Sequence, residues 1–218
     1  MRYVVTKIKM CGLFREEDIT YANEVNPDYI GFVFYKKSHR YVGMETASRL
    51  RSKLDDGIQT VGVFVDEDIS LIKELVDKKI IDIVQLHGHE DEEYIKELRD
   101  TLGESYTKII KAIVVKNESD IQKLMKFDTY KSNGSSNQPV DYYLLDSGMG
   151  SGSSFDWNLI KDLQTPIFLA GGLNTVNITE ALSLVKPYAV DVSSGIETDK
   201  VKDFDKMRLF ASLVRNNQ

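Results

Sequence analysis

Lys7-Ile8-Lys9-Met10-Cys11-Gly12-Leu13 is the stretch on which the fold turns. Up to Cys11 the residues alternate, with Val4, Thr6, Ile8 and Met10 on one face of a strand and Val5, Lys7, Lys9 and Cys11 on the other. Gly12 ends the run, and Arg15–Val25 takes up the spacing of an amphipathic helix. This unit recurs along the chain. Strands are predicted at Val4–Met10, Tyr29–Phe34, Gln59–Val65, Ile81–Leu86, Lys108–Val114, Asp141–Leu145, Pro166–Leu169 and Ala189–Val192. Helices are predicted near Arg15–Val25, Met44–Leu54, Ile69–Lys78, Asp91–Leu102, Glu118–Phe127, Trp157–Leu163, Thr175–Val185 and Phe204–Val214.

A strand-helix unit repeated in this way, with short connections, implies an α/β chain folded as a single closed (β/α)8 or TIM barrel, with residues 1–218 as one catalytic domain. An open doubly wound sheet is the competing architecture. It would usually carry about five or six strands and a glycine fingerprint after the first. Cys11-Gly12-Leu13 is not that fingerprint. Lys131–Gln138 contains no apolar residue and reads as a loop at the amino-terminal mouth of the sixth strand, away from the chemistry.

At 218 residues the chain can bury a core without disulfide or metal staples. Its single cysteine excludes an intrachain disulfide and suggests a reducing compartment. The opening segment is interrupted by lysines, and no window approaches the ~20 apolar residues of a membrane span. A soluble, cytoplasmic protein is therefore expected. The net charge of −6 is spread with both signs mixed, which argues against nucleic acid and membrane surfaces as partners. A small anionic ligand stays open, because backbone dipoles can hold a phosphate on an acidic protein. Oligomeric state is not legible; monomer and homodimer both fit.

In such barrels the chemistry gathers where the strands end. Cys11 closes the first strand beside lysines, whose charge would favour thiolate and make it a base or nucleophile near neutral pH; alternatively it is a small buried hydrophobe. Arg40 follows the second strand, and is either a planar fork for a carboxylate or phosphate, or part of a solvated basic loop. After the fourth strand, His87 reads as a hydrogen-bonding pocket wall and His89 as a surface residue; no third ligand suggests a metal. Asp146 ends the sixth strand, where partial burial would let it hold a proton, unless it caps a turn. The Gly148–Ser154 run after it is a lid or a linker. Gly171 and Gly172 after the seventh strand, and Ser193, Ser194 and Gly195 after the eighth, leave backbone amides bare for an anion. Two such loops in succession point to a phosphate.

Lys9-Met10-Cys11-Gly12-Leu13, Gly31-Phe32-Val33-Phe34-Tyr35 through Arg40-Tyr41, Val61–Val65, Val84-Gln85-Leu86-His87-Gly88, Leu144-Leu145-Asp146-Ser147, Phe155-Asp156-Trp157, Ala170-Gly171-Gly172-Leu173-Asn174 and Asp191-Val192-Ser193-Ser194-Gly195 stand in family order. On these motifs nearly the whole chain resembles phosphoribosylanthranilate isomerase, an enzyme of tryptophan, hence aromatic amino acid, biosynthesis. The resemblance implies an Amadori rearrangement of N-(5′-phosphoribosyl)anthranilate to 1-(2-carboxyphenylamino)-1-deoxyribulose 5-phosphate. Cys11 would be its general base and Asp146 its general acid. It implies Arg40 on the anthranilate carboxylate, both glycine-containing loops on the 5′-phosphate, and Asp191 on a ribose hydroxyl. No metal or organic cofactor is implied, since the substrate nitrogen is the electron sink. The sequence departs from the family pattern at Ser153, where a lysine is usual, and at Lys36 and His39, where prolines are usual. A metal-dependent phosphosugar epimerase using His87 and His89, and a barrel that binds a phosphorylated ligand without turnover, are the alternatives.

Overall fold

Residue parity decides where each strand side chain goes. In the computed structural model the described residues are 5–103, 107–121, 140–147, 156–160, 163 and 166–217. Strands β1 (Lys7–Cys11), β2 (Tyr29–Val33), β3 (Gln59–Phe64), β4 (Ile83–Leu86), β5 (Lys108–Val114), β6 (Tyr142–Asp146), β7 (Ile167–Leu169) and β8 (Ala189–Val192) pair in that order and close into a barrel. Every neighbouring pair is parallel, and β8 returns to β1 with Lys9 opposite Asp191. The expected (β/α)8 barrel is what forms.

Two apolar clusters follow from the alternation. Tyr29, Val61, Ile83, Ile110, Leu144, Phe168 and Ala189 pack inside the barrel. Strand residues of the opposite parity, among them Ile8, Met10, Ile30, Val84, Ile109, Leu145, Leu169 and Val190, join the shell between sheet and helices. A one-residue slip in any strand would exchange the two sets, so register is strongly fixed. The tyrosines 29, 142 and 188 surround Phe168, with ring centroids 5.5 to 5.6 Å from it. Their hydroxyls meet one another, and Lys7 Nζ donates to Tyr29 Oη at 3.1 Å. This aromatic plug fills the amino-terminal end and leaves the carboxyl-terminal mouth for ligand.

Helices α1 (Glu16–Val25), α2 (Met44–Arg51), α3 (Ile69–Asp77), α4 (Glu92–Leu102), α5 (Ile178–Leu184) and α6 (Phe204–Asn216) cover the sheet. Asp68, Asp91 and Asp203 cap α3, α4 and α6 by accepting from backbone amides of the first turn. The turn after β1 is held by the fully buried Asp18, which accepts from the amides of Phe14 and Arg15 and from the Arg15 guanidinium. Chain leaving Cys11 is thereby fixed before α1 begins.

The boundaries differ from expectation in three instructive places. β1 runs to Cys11, so the thiol belongs to the strand and inherits its inward parity. Of the expected helix over Trp157–Leu163, the described residues show a 3-10 turn at Trp157–Leu159. α5 starts three residues later than expected because Asn174 and Asn177 close a turn on each other: Asn174 Oδ1 accepts from the amides of Val176 and Asn177, and Asn177 Oδ1 accepts from that of Asn174. Residues 118–121 are helical as expected. The rest of that helix, Lys131–Gln138 and the Gly148–Ser154 run lie outside the described residues. Among the described residues no helix is long and apolar enough to cross a membrane.

A small antiparallel hairpin, β9 (Glu197–Thr198) and β10 (Val201–Lys202), follows β8 and had no counterpart in the expected element order. Its turn residues Asp199 and Lys200 both adopt left-handed backbone, at φ +51° and +66°.

Candidate active site

Two groups of side chains line the carboxyl-terminal mouth. The first gathers around Cys11, on β1 and its neighbours β2 and β8. A methyl group at Gly31 would lie 2.6 Å from Cys11 Sγ, so β2 must be glycine there for the sulfur to sit inward. Lys9, fully buried one inward position below, places Nζ 2.9 Å from both oxygens of Asp191. Burial works against the Lys9 ammonium, but Asp191 and Cys11 raise it above its ordinary value, so it stays charged. For Cys11 the balance falls the other way. Burial pushes the thiol up, Asp191 adds to the rise, and Lys9 and Lys202 offset only part of it. The neighbouring lysines thus favour the thiolate while removal of the sulfur from water opposes it.

Arg40 reaches this group from the loop after β2. A side chain at Gly12, at φ +77°, would collide with Arg40 Cδ. Arg40 donates from Nε and Nη2 to the two oxygens of Glu197 at 2.7 and 2.8 Å. Lys202 Nζ meets the same carboxylate at 2.5 Å and donates to Ser193 O at 3.1 Å. Burial would raise the Glu197 carboxyl, yet its bonds to Arg40 and Lys202 hold it at about 2. Ser193 Oγ in turn donates to Cys11 O at 2.9 Å. Candidate anion loop, arginine fork and thiol strand are thus one connected polar network.

The second group surrounds Asp146, whose side chain is 15% exposed at the end of β6. His87 Nε2 is 3.2 Å from Asp146 Oδ2, and Gln85 Nε2 is 2.9 Å from His87 Nδ1. An amide nitrogen only donates, so with the Gln85 amide in this orientation His87 Nδ1 accepts from it and Nε2 presents an N–H to the carboxylate. Gly171, at φ +84°, lies against this acid: a Cβ there would be 2.5 Å from Ser147 N and 2.9 Å from Asp146 Oδ1. Gly172 is also left-handed, at φ +66°. The loop after β7 touches the loop after β8 through an isolated bridge between Asn174 and Gly195, where any side chain would run into Leu173 O. The two candidate phosphate loops are therefore adjacent.

Cys11, Arg40, His87, Asp146, Gly171, Gly172, Asp191, Ser193, Ser194 and Gly195 all come to this one mouth. His89 does not. It is exposed and paired with Asp66 at 3.0 Å, while His87 faces Asp146, so the two rings do not converge. Glu197, Lys202 and Gln85 join these contacts without having been singled out from the sequence. Glu197 stands two positions beyond the Ser193–Gly195 loop, but nothing in the sequence pairs it with Arg40. The inward parity of Gln85, two residues before His87, was the available signal for that contact.

A family model described as N-(5′-phosphoribosyl)anthranilate (PRA) isomerase matches residues 8–212. The chain belongs to the phosphoribosylanthranilate isomerase family. One relative of that name, from Endomicrobium trichonymphae, is 45% identical over 214 residues, covering 96% of this chain and 98% of its own. The solved phosphoribosylanthranilate isomerase of Thermotoga maritima superposes with a TM-score of 0.83 at 34% identity, over 97% of this chain and 99% of that one. A phosphoribosylanthranilate isomerase solved in complex with reduced 1-(o-carboxyphenylamino)-1-deoxyribulose 5-phosphate matches at a TM-score of 0.80 and 33% identity, with 97% and 99% covered. The residues matched to the phosphoribosylanthranilate isomerase family include both groups of mouth residues.

Proposed function

We propose that this protein converts N-(5′-phosphoribosyl)anthranilate to 1-(2-carboxyphenylamino)-1-deoxyribulose 5-phosphate in tryptophan biosynthesis, with Asp146 as general acid and Cys11 as general base. The observation that supports this most is the placing of one thiol and one carboxylate on inward positions at the ends of β1 and β6, in a single mouth beside two touching glycine-containing loops. β7 and β8, which carry those two loops, stand between the strands of Cys11 and Asp146.

Asp146 gives its proton to the furanose ring oxygen as the C1′–O4′ bond breaks. The anthranilate nitrogen supplies the electron pair and becomes a protonated imine. That imine acidifies C2′–H, and Cys11 as thiolate takes the proton, leaving an enolamine that tautomerises to the ketose. Each transfer contributes about 10²–10⁴-fold. His87 Nε2–H orients the acid, and the substrate's own nitrogen serves as electron sink.

Arg40 clamps the anthranilate carboxylate, and the amides of Gly171, Gly172, Ser193, Ser194 and Gly195 hold the 5′-phosphate. Asp191, with Lys9 on its oxygens, faces a ribose hydroxyl. The domain acts as one barrel over residues 1–218. Purified protein should consume the substrate with loss of anthranilate fluorescence. Cys11→Ser and Asp146→Val should each abolish this with the circular dichroism spectrum intact; unchanged turnover in either overturns the roles assigned.

A further inference from the structure

The carboxylate that the Arg40 guanidinium meets in the free protein is Glu197, and the direction of that contact is informative. Glu197 takes the Nε–Nη2 edge, at 2.7 and 2.8 Å. A guanidinium carries five N–H donors, so its other edge, one N–H each from Nη1 and Nη2, still presents a fork for a planar carboxylate. The Arg40 side chain is 20% exposed and that of Glu197 only 6%, so the buried edge faces Glu197.

Glu197 is itself anchored. It sits in β9, opposite Lys202 of β10 in the hairpin register. The fully buried Lys202 ammonium holds Glu197 Oε1 from one side and Ser193 O from the other. Arg15 Nη2 fixes the Lys202 carbonyl at 3.0 Å.

We propose that Glu197, anchored by Lys202, is the positioning residue that aims the Arg40 fork at the substrate carboxylate and ties it to the loop bearing Ser193. Glu197 touches no reacting atom. Its effect passes through Arg40, so it governs recognition of the carboxylate rather than proton transfer. This rests on the assignment of Arg40 to the anthranilate carboxylate.

The test is a double-mutant cycle on two substrates, N-(5′-phosphoribosyl)anthranilate and the carboxyl-free N-(5′-phosphoribosyl)aniline. Arg40→Ala should raise KM for the carboxylated substrate about tenfold to hundredfold, the range expected for a charge-assisted pair. Glu197→Gln should raise it about tenfold with kcat lowered no more than about threefold, and Lys202→Met should act in the same direction. On the carboxyl-free substrate the KM of Glu197→Gln should stay within about twofold of the parent. Combined with Arg40→Ala, Glu197→Gln should add nothing further, because the residue it aims is gone.

Equal losses on both substrates mark a merely structural role and overturn the inference. So does a fall in KM, which would make Glu197 a competitor of the ligand, and so does full additivity with Arg40→Ala. If Arg40→Ala itself leaves KM for the carboxylated substrate unchanged, the assignment of Arg40 fails and takes the inference with it. Additivity beside a normal Arg40→Ala effect fails the inference alone.

Discussion

His87 Nε2 and Asp146 Oδ2 face each other at 3.2 Å across the mouth from β4 to β6, with Gln85 fixing the ring from behind. A proton donor that must reach one ring oxygen gains from being held at one angle, and this ring holds it. His87→Ala should lower kcat about tenfold to hundredfold with a smaller change in KM. Gln85→Leu should act in the same direction and more weakly, since it frees the tautomer without removing the ring. Steady-state kinetics on both variants check this; a pure KM effect would assign His87 to ground-state binding instead.

Burial raises the Cys11 thiol above its ordinary value, so the fraction present as thiolate is small at neutral pH and grows as pH rises. Alkylation of Cys11, the single cysteine of the chain, should accelerate with pH through neutrality and beyond the usual thiol range. Lys9→Met should move that rise further towards alkali, and Asp191→Asn should move it back, because one removes a cation and the other an anion beside the sulfur. Mass-spectrometric rates of carbamidomethylation read this without any need for activity.

Gly171 should tolerate no side chain. Gly171→Ala forces a Cβ into Ser147 N and Asp146 Oδ1 at a left-handed backbone position, so both strain and displacement of the acid are expected. A loss of about 1–3 kcal/mol in urea unfolding should accompany a fall in kcat. Stability loss with kcat untouched would separate this glycine from Asp146.

Glu197 contributes to acid stability with a definite sign. Its carboxyl is held at about 2 in the folded protein against an ordinary 4.5, so its stabilising contribution is complete above 4.5 and fades as pH falls towards about 2. The stability difference between the parent and Glu197→Gln should therefore be largest near neutrality and shrink below pH 4.5, as thermal melts across pH would show.

The barrel was legible because parallel strands buried on both faces read as compact apolar runs between helical stretches. Alternation also placed Cys11, His87 and Asp191 on the barrel side; Cys11 and Asp146 close β1 and β6, Asp191 lies within β8, and His87 stands one residue beyond β4. The hairpin of Glu197 and Lys202 was not legible: its two left-handed turn positions are Asp199 and Lys200, with neither glycine nor asparagine to signal the turn. The partners of Arg40 were hidden with it. The sign of the Cys11 shift was hidden too, since lysines beside a thiol are visible in a sequence, while the depth of its burial depends on β2 and β8 closing over it.

The shared chemistry of Cys11 and Asp146 is tested most directly by a crystal structure of this protein with reduced 1-(o-carboxyphenylamino)-1-deoxyribulose 5-phosphate bound. The expected result is Cys11 Sγ within about 4 Å of C2′, and an Asp146 carboxylate oxygen within hydrogen-bond reach, about 3 Å, of the hydroxyl derived from the ring oxygen. A sulfur turned from C2′, or an Asp146 separated from that hydroxyl by the body of the ligand, would contradict the mechanism.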